Sequence, residues 1–161
     1  MNKKIETLVP DIYYILENPH QWDKEKAEEL GHDIAKIILE KLEKDNNNEP
    51  AYLRMSNLGS PCLRELWYKI NVPDAFQPLP APARLKFLFG DIMEQVLLFL
   101  AKEAGHDVNG KQTRLDLFGV KGSRDAVIDG VTVDTKSAST QSFYKFRAGL
   151  TPDKDDFGYL T

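Results

Sequence analysis

The stretch GSRDAVIDGVTVDTKSAS, residues 122–139, carries Asp125, Asp134 and Lys136 at a spacing that could hold a cation. Its centre, Asp129-Gly130, is the strongest short signal for a two-residue type I′ hairpin turn. That turn pairs Ile128 with Val131, Val127 with Thr132, Ala126 with Val133, and Asp125 with Asp134. Side chains alternate across a strand. One face therefore holds Ala126, Ile128, Val131 and Val133 and should meet the core. The other holds Asp125, Asp134 and, two residues further, Lys136. Directly opposed residues have Cβ atoms roughly 4.5–5.5 Å apart, and like charges that close repel. A proton or a cation between them removes the repulsion. Hard carboxylate oxygens suit Mg²⁺ or Mn²⁺, with Lys136 beside them to steady an anion or a water. The same residues also suit a solvated hairpin face on which Lys136 offsets one aspartate. A one-residue slip in register would put Asp125 and Asp134 on opposite faces.

Helices must position that hairpin. A short one is expected over 9–17, ended by Asn18-Pro19. A longer one is expected over 23–44, where Ala27, Leu30, Ile34, Ile37, Ile38 and Leu42 recur at spacings of three and four. DNNNEP, residues 45–50, reads as a linker. Ser60 and Pro61 suit a helix start, with Leu63, Leu66, Trp67 and Ile70 as its apolar stripe. The proline-rich 71–83 reads as an extended connection. Residues 84–104 read as a central helix, apolar nearly all round at 96–100. Strands are expected at about 111–118, 120–128 and 131–137, and a short helix at 139–148. The domains expected are an N-terminal helical segment over 1–50 and the site-bearing domain over 51–161.

Composition limits the alternatives. The chain has 161 residues, 42% hydrophobic and 29% charged, which suits a soluble globular protein. Its net charge of −4 gives no global basic field, so nucleic acid would need a local basic patch. SFYKFRAG, residues 142–149, is one candidate: it interleaves Phe143, Tyr144 and Phe146 with Lys145 and Arg147. That pattern could stack on and clamp DNA, or it could pack as an amphipathic helix. The single cysteine, Cys62, excludes a disulfide framework and a four-cysteine cluster, and reads as a packed thiol in a reducing, intracellular compartment. No apolar run approaches a membrane span. His20, His32 and His106 have no metal-ligand spacing and read as surface residues. Asp129 is explained by its turn, and Asp116 reads as a solvent-facing strand residue.

Gly122-x-x-Asp125, a hairpin, then Asp134-x-Lys136 resembles the signature of the PD-(D/E)XK nuclease superfamily, above all its RecB-like and phage-exonuclease branch. The resemblance covers about residues 53–161. It implies an α/β (α+β) fold with a restriction-endonuclease-like core, a small mixed sheet and N-terminal helices, the Asp-Gly hairpin carrying the site. FGDIMEQVLL, residues 89–98, is similar to the helix before the strands, which in this branch carries a metal-binding Glu or His a turn after a Gly. Here that residue is Glu94, which shares a face with Gly90, Leu97 and Ala101. A charge in so apolar a helix is costly unless paired or metal-bound. SNLGSPCLRELWY, residues 56–68, resembles a backbone-binding segment, which carries Ser56 and Arg64 over as DNA contacts.

What the resemblance implies is a Mg²⁺- or Mn²⁺-dependent deoxyribonuclease, an exonuclease of phage or bacterial DNA processing in the cytoplasm, without an iron–sulfur cluster. Asp125, Asp134 and Lys136 would be catalytic. Glu94, Asp125, Asp134 and the carbonyl of Thr135 would hold the metal. Ser56, Arg64, Lys145 and Arg147 would grip DNA. The second acid is Asp where Glu is commoner, which shortens its reach. The branch continues past DDFGYLT with a helix bearing Gln-x-x-x-Tyr, so a longer chain, a homo-oligomer or a partner chain is expected to complete the fold. The alternative is a catalytically inactive nuclease-fold module for DNA binding or assembly.

Overall fold

Our computed structural model describes residues 3–43, 52–58, 60, 62–72, 79–149 and 151. The 45–50 linker, residues 73–78 of the proline-rich connection and the DDFGYLT segment lie outside them; the described ends of that connection are helical, Asn71 closing one helix and residues 81–83 opening another. The architecture is mixed α and β. In order it runs α1 (Leu8–Glu17), α2 (Lys24–Glu43), α3 (Leu63–Asn71), α4 (Ala81–Glu103), β1 (Val108–Asn109), β2 (Thr113–Leu117), β3 (Val120–Arg124), β4 (Ala126–Ile128), β5 (Val131–Val133) and α5 (Thr140–Arg147). Single 3-10 turns precede α1, at Ile5–Thr7, and α3, at Met55–Asn57. The described strands form two small antiparallel sheets rather than one mixed sheet: β1-β4-β5, and the β2–β3 hairpin.

The chain divides into two compact units. One holds α1, α2, α4, β1, β4 and β5. The other holds α3, α5 and most of the β2–β3 hairpin.

In the first unit α4 is the central element. Leu98 and Ala101 on α4 meet Ala126 and Ile128 of β4, all within 3% of full burial, with Ile5, Leu8, Val108 and Val133 closing around them. Ile12 and Ile15 of α1 pack against Ala104 and Leu100. α1 ends at Asn18, whose backbone turns extended before Pro19 and so stops the helix. Asp23 starts α2 by accepting hydrogen bonds from the backbone N–H groups of Glu25 (3.0 Å) and Lys26 (3.3 Å). α2 lies along α4 with Leu30, Ile34, Ile37 and Ile38 half-buried, while Ala27 and Leu42 stay exposed. α4 begins three residues earlier than its apolar pattern suggests, because Pro80 precedes it and Pro82 in its first turn has no N–H to lose.

The β4–β5 hairpin has the register read from sequence: Ala126 opposite Val133, Val127 opposite Thr132, Ile128 opposite Val131. Asp129 and Gly130 have φ of 50° and 81°, the pair of left-handed residues that a type I′ turn requires. Three features differ from expectation. The strand expected over 131–137 ends at Val133, so Asp134 and Lys136 lie past it. The single strand expected over 120–128 is broken at Asp125, and β3 and β4 belong to different sheets. The inner face is also only half covered: Ala126 and Ile128 are buried, but Val131 is exposed because β5 is an edge strand.

In the second unit, Leu66 is the buried residue of α3. Leu63 and Trp67, expected beside it in the stripe, are exposed. α3 starts at Leu63, two residues past the expected point, since Ser60 accepts from the neighbouring Cys62 N–H (3.4 Å) instead of capping the first turn. Cys62 is exposed rather than packed. The β2–β3 turn is again of type I′, with Phe118 and Gly119 at φ 53° and 82°. Asp116 holds it by accepting from the Gly119 N–H at 3.0 Å, a turn-forming role beyond that of a solvent-facing strand residue. Ser139 caps α5 through the Ser142 N–H at 3.2 Å.

Candidate functional site

Five of the sequence-derived site residues, Glu94, Asp125, Asp134, Thr135 and Lys136, lie in the first unit. α4 presents Glu94 one turn before Leu98, from the side that packs on β4. Only 7% of Glu94 remains exposed, so it is not an edge residue of the helix. Its Oε1 accepts from Gln112 Nε2 at 2.6 Å and from Gln95 Nε2 at 3.4 Å. Burial holds the Glu94 carboxyl above the usual carboxylate range. The Gln112 bond opposes that rise, the charges of Asp125 and then Asp91 reinforce it, and Lys136 opposes it. Asp125, Asp91 and Lys136 thus stand within electrostatic reach of Glu94.

Asp125 sits at the break between β3 and β4. Its backbone carbonyl accepts from Gln112 N at 2.9 Å, and its Oδ2 accepts from Thr135 N at 2.7 Å. The second bond explains why the hairpin ladder stops at Ala126–Val133: beyond that pair the facing N–H goes to a side chain instead of a carbonyl. Asp134, one position past the ladder, turns outward and pairs with Lys136 at 2.8 Å. Both ends of that pair are about half exposed, at 60% and 46%. The structure therefore brings Asp125 and Lys136 within electrostatic reach of Glu94, and pairs Asp134 with Lys136 instead. Among the described residues no three His, Cys, Asp or Glu side chains form a metal-holding group. The chemistry of the donors nevertheless fits a hard divalent cation. A buried carboxylate and a second acid repel each other, and every donor is oxygen.

The other four candidates belong to the second unit. Ser56 is exposed in the 3-10 turn, Arg64 is exposed in the first turn of α3, and Lys145 and Arg147 are exposed in the last turn of α5. Tyr52 in this unit carries two cations, Lys121 at 4.7 Å and Arg54 at 5.3 Å from its ring centroid.

Sequence reasoning missed two polar centres that hold the site's support. His106 is not a surface residue. Its side chain is fully buried at the end of α4, with Nδ1 2.6 Å from Asp129 Oδ2 and Nε2 3.2 Å from Asp11 Oδ2. Asp129 also accepts from Asp107 N at 3.0 Å. Burial pushes the Asp129 carboxyl up, but the His106 and Asp107 bonds outweigh it and hold it below its ordinary range. The turn residue of the site hairpin is thus tied to α1 and α4. Glu103 is the second centre. It gathers Lys26 Nζ (3.0 Å), Asp23 N (3.1 Å) and His20 Nε2 (3.2 Å). Burial raises its carboxyl, and these three donors together bring it below the usual range. An Asp-Gly turn and an Asn-Pro helix stop signal neither centre, because their partners lie tens of residues apart.

Comparison of the chain with protein-family models, with curated proteins and with solved structures found no match. Among the described residues no helix is long and apolar enough to cross a membrane.

Proposed function

We propose that the chain is a metal-dependent DNA nuclease of the PD-(D/E)XK type, with a restriction-endonuclease-like core, acting as an exonuclease in phage or bacterial DNA processing in the cytoplasm. The observation that carries this reading is the buried Glu94 carboxylate, with the charge of Asp125 on the hairpin raising it and Lys136 opposing that rise. A buried acid beside a second acid costs stability unless it serves a site.

In this reading Glu94, Asp125, Asp134 and the Thr135 carbonyl would hold one or two Mg²⁺ ions. Bound there, the metal supplies a nucleophilic water at neutral pH and neutralises charge at phosphorus. Asp125 keeps its orientation through Thr135 N, and Glu94 through Gln112. Lys136 Nζ orients the attacking water and offsets the charge that develops on the phosphate oxygens. Its pairing with Asp134 is exposed and so worth little, up to about 1 kcal/mol. Ser56, Arg64, Lys145 and Arg147 would contact DNA phosphates.

A second reading is a catalytically inactive nuclease-fold module for DNA binding or assembly. The pairing of Asp134 with Lys136, instead of with the other acids, favours it. Hydrolysis of a fluorescent linear duplex with Mg²⁺, against the same reaction with chelator, separates the two. The nuclease reading expects chelator-sensitive cleavage that Lys136→Ala lowers by about a hundredfold or more, with metal binding retained. Absent cleavage by the wild type favours the module, and metal-independent cleavage contradicts both readings.

A further inference from the structure

The residue that joins the two acids is Gln112, in the turn between β1 and β2. Its side-chain amide donates to Glu94 Oε1 at 2.6 Å and its backbone N–H donates to the Asp125 carbonyl at 2.9 Å. One residue therefore fixes the carboxylate on α4 and the backbone of the acid on the hairpin. Gln112 does this from a strained backbone, with φ of 50°. Left-handed φ suits Gly, and among other residues Asn and Asp; a glutamine there raises the folded state's energy. Glycine would relieve the strain and keep the backbone bond to Asp125. Asparagine would tolerate the conformation, but its side chain is one methylene shorter and falls short of Glu94. The turn alone therefore favours either residue over the one present, and the reach of the amide to Glu94 accounts for glutamine.

We propose that Gln112 is a positioning residue for the cation site, holding Glu94 in register with Asp125 so that both carboxylates meet one divalent ion. This rests on the nuclease reading above. The amide takes one oxygen of Glu94 and fixes the plane of the carboxylate, as outer hydrogen bonds to metal-ligating carboxylates do. Its position in the left-handed region is strain kept at a site, not strain the fold needs.

The test measures Mn²⁺ affinity by calorimetry, and metal-free melting temperature, on the full chain as wild type, Gln112→Gly and Gln112→Asn. Positioning expects both variants to melt within a few degrees of wild type and to bind Mn²⁺ about ten- to a hundredfold more weakly. Unchanged affinity in both variants overturns the positioning role and leaves the nuclease reading standing. Loss of the fold in both assigns Gln112 to the turn and overturns it too. Absence of Mn²⁺ binding in the wild type removes the cation site itself, and with it both the nuclease reading and this role.

Discussion

Replacing Glu94 by Gln should stabilise the metal-free protein, and the size of the effect can be worked from its surroundings. The wild-type carboxylate is 7% exposed and repelled by Asp125. An ion taken out of water costs several kcal/mol even after relaxation. Against this stands the short bond from Gln112, and a hydrogen bond to a charged group contributes about 1.5–3 kcal/mol. Glutamine keeps an oxygen to accept that bond, losing only its charge-assisted part, and it ends both the burial of charge and the repulsion. The balance is a gain of about 1–3 kcal/mol, which for a chain of this size raises the melting temperature by roughly 2–12 °C. The pH dependence gives the diagnostic. Glu94's folded-state pKa is raised, so its penalty is fully present above that value and disappears as pH falls through it to the ordinary carboxylate value. The advantage of Glu94→Gln should therefore be largest at neutral pH and vanish by about pH 4. Melting followed by circular dichroism from pH 4 to 8, without metal, measures it. A variant less stable than wild type at neutral pH, or an advantage that does not change with pH, would refute the reasoning.

Other expected outcomes concern the support of the site. Glu103→Ala removes the acceptor for Lys26, the Asp23 N–H and His20; at about 1 kcal/mol per bond, with Lys26 free to reach water, urea melts should show a loss of about 2–3 kcal/mol. Asp129 is held below the ordinary carboxylate range, burial raising it but the bond from His106 and then that from Asp107 N lowering it further, and Asp11 is held low by Lys3 first, with His106 a smaller cause. The contribution of Asp129 is complete above the unfolded value of about 3.9 and is lost as pH falls through its lower folded value, so His106→Phe should flatten part of the acid limb of stability below about pH 4, the part due to Asp11 and Lys3 remaining. Leu98→Ala, at the contact of α4 with β4, should cost about 2–5 kcal/mol in denaturant titrations; a smaller loss would show that α4 is not the centre of that core.

The parts of this chain written in local pattern were legible and the parts made by distant polar partners were not. Asp129-Gly130 fixed the hairpin and its register because only left-handed residues fit a type I′ turn. Glu94 stood out because an acid flanked by apolar turns has few places to go. The break at Asp125 left no trace in the alternation of 120–128. It arises from a bond between the Thr135 N–H and a side chain ten residues earlier, and period-two reasoning counts faces, not backbone partners. His106 looked like a surface histidine because its neighbours Glu103, Gly105 and Asp107 are polar or small. Its burial depends on Asp11 and Asp129, which are distant in sequence. Gln112 carried no signal at all: it fell inside the strand expected at about 111–118, whereas the structure puts it in the turn before β2, and its φ and its bond to Glu94 set its role.

The claim at the centre of this account is that Glu94, Asp125 and Asp134 share a divalent cation. Metal binding tests it more directly than turnover, since it needs no DNA. Mn²⁺ calorimetry of the wild type, Asp125→Asn and Asp134→Asn should show binding to the wild type, weakened at least tenfold in each variant, the size that a lost ligand or its immediate support carries. Wild-type binding that survives both substitutions unchanged, or no binding to the wild type, would contradict it.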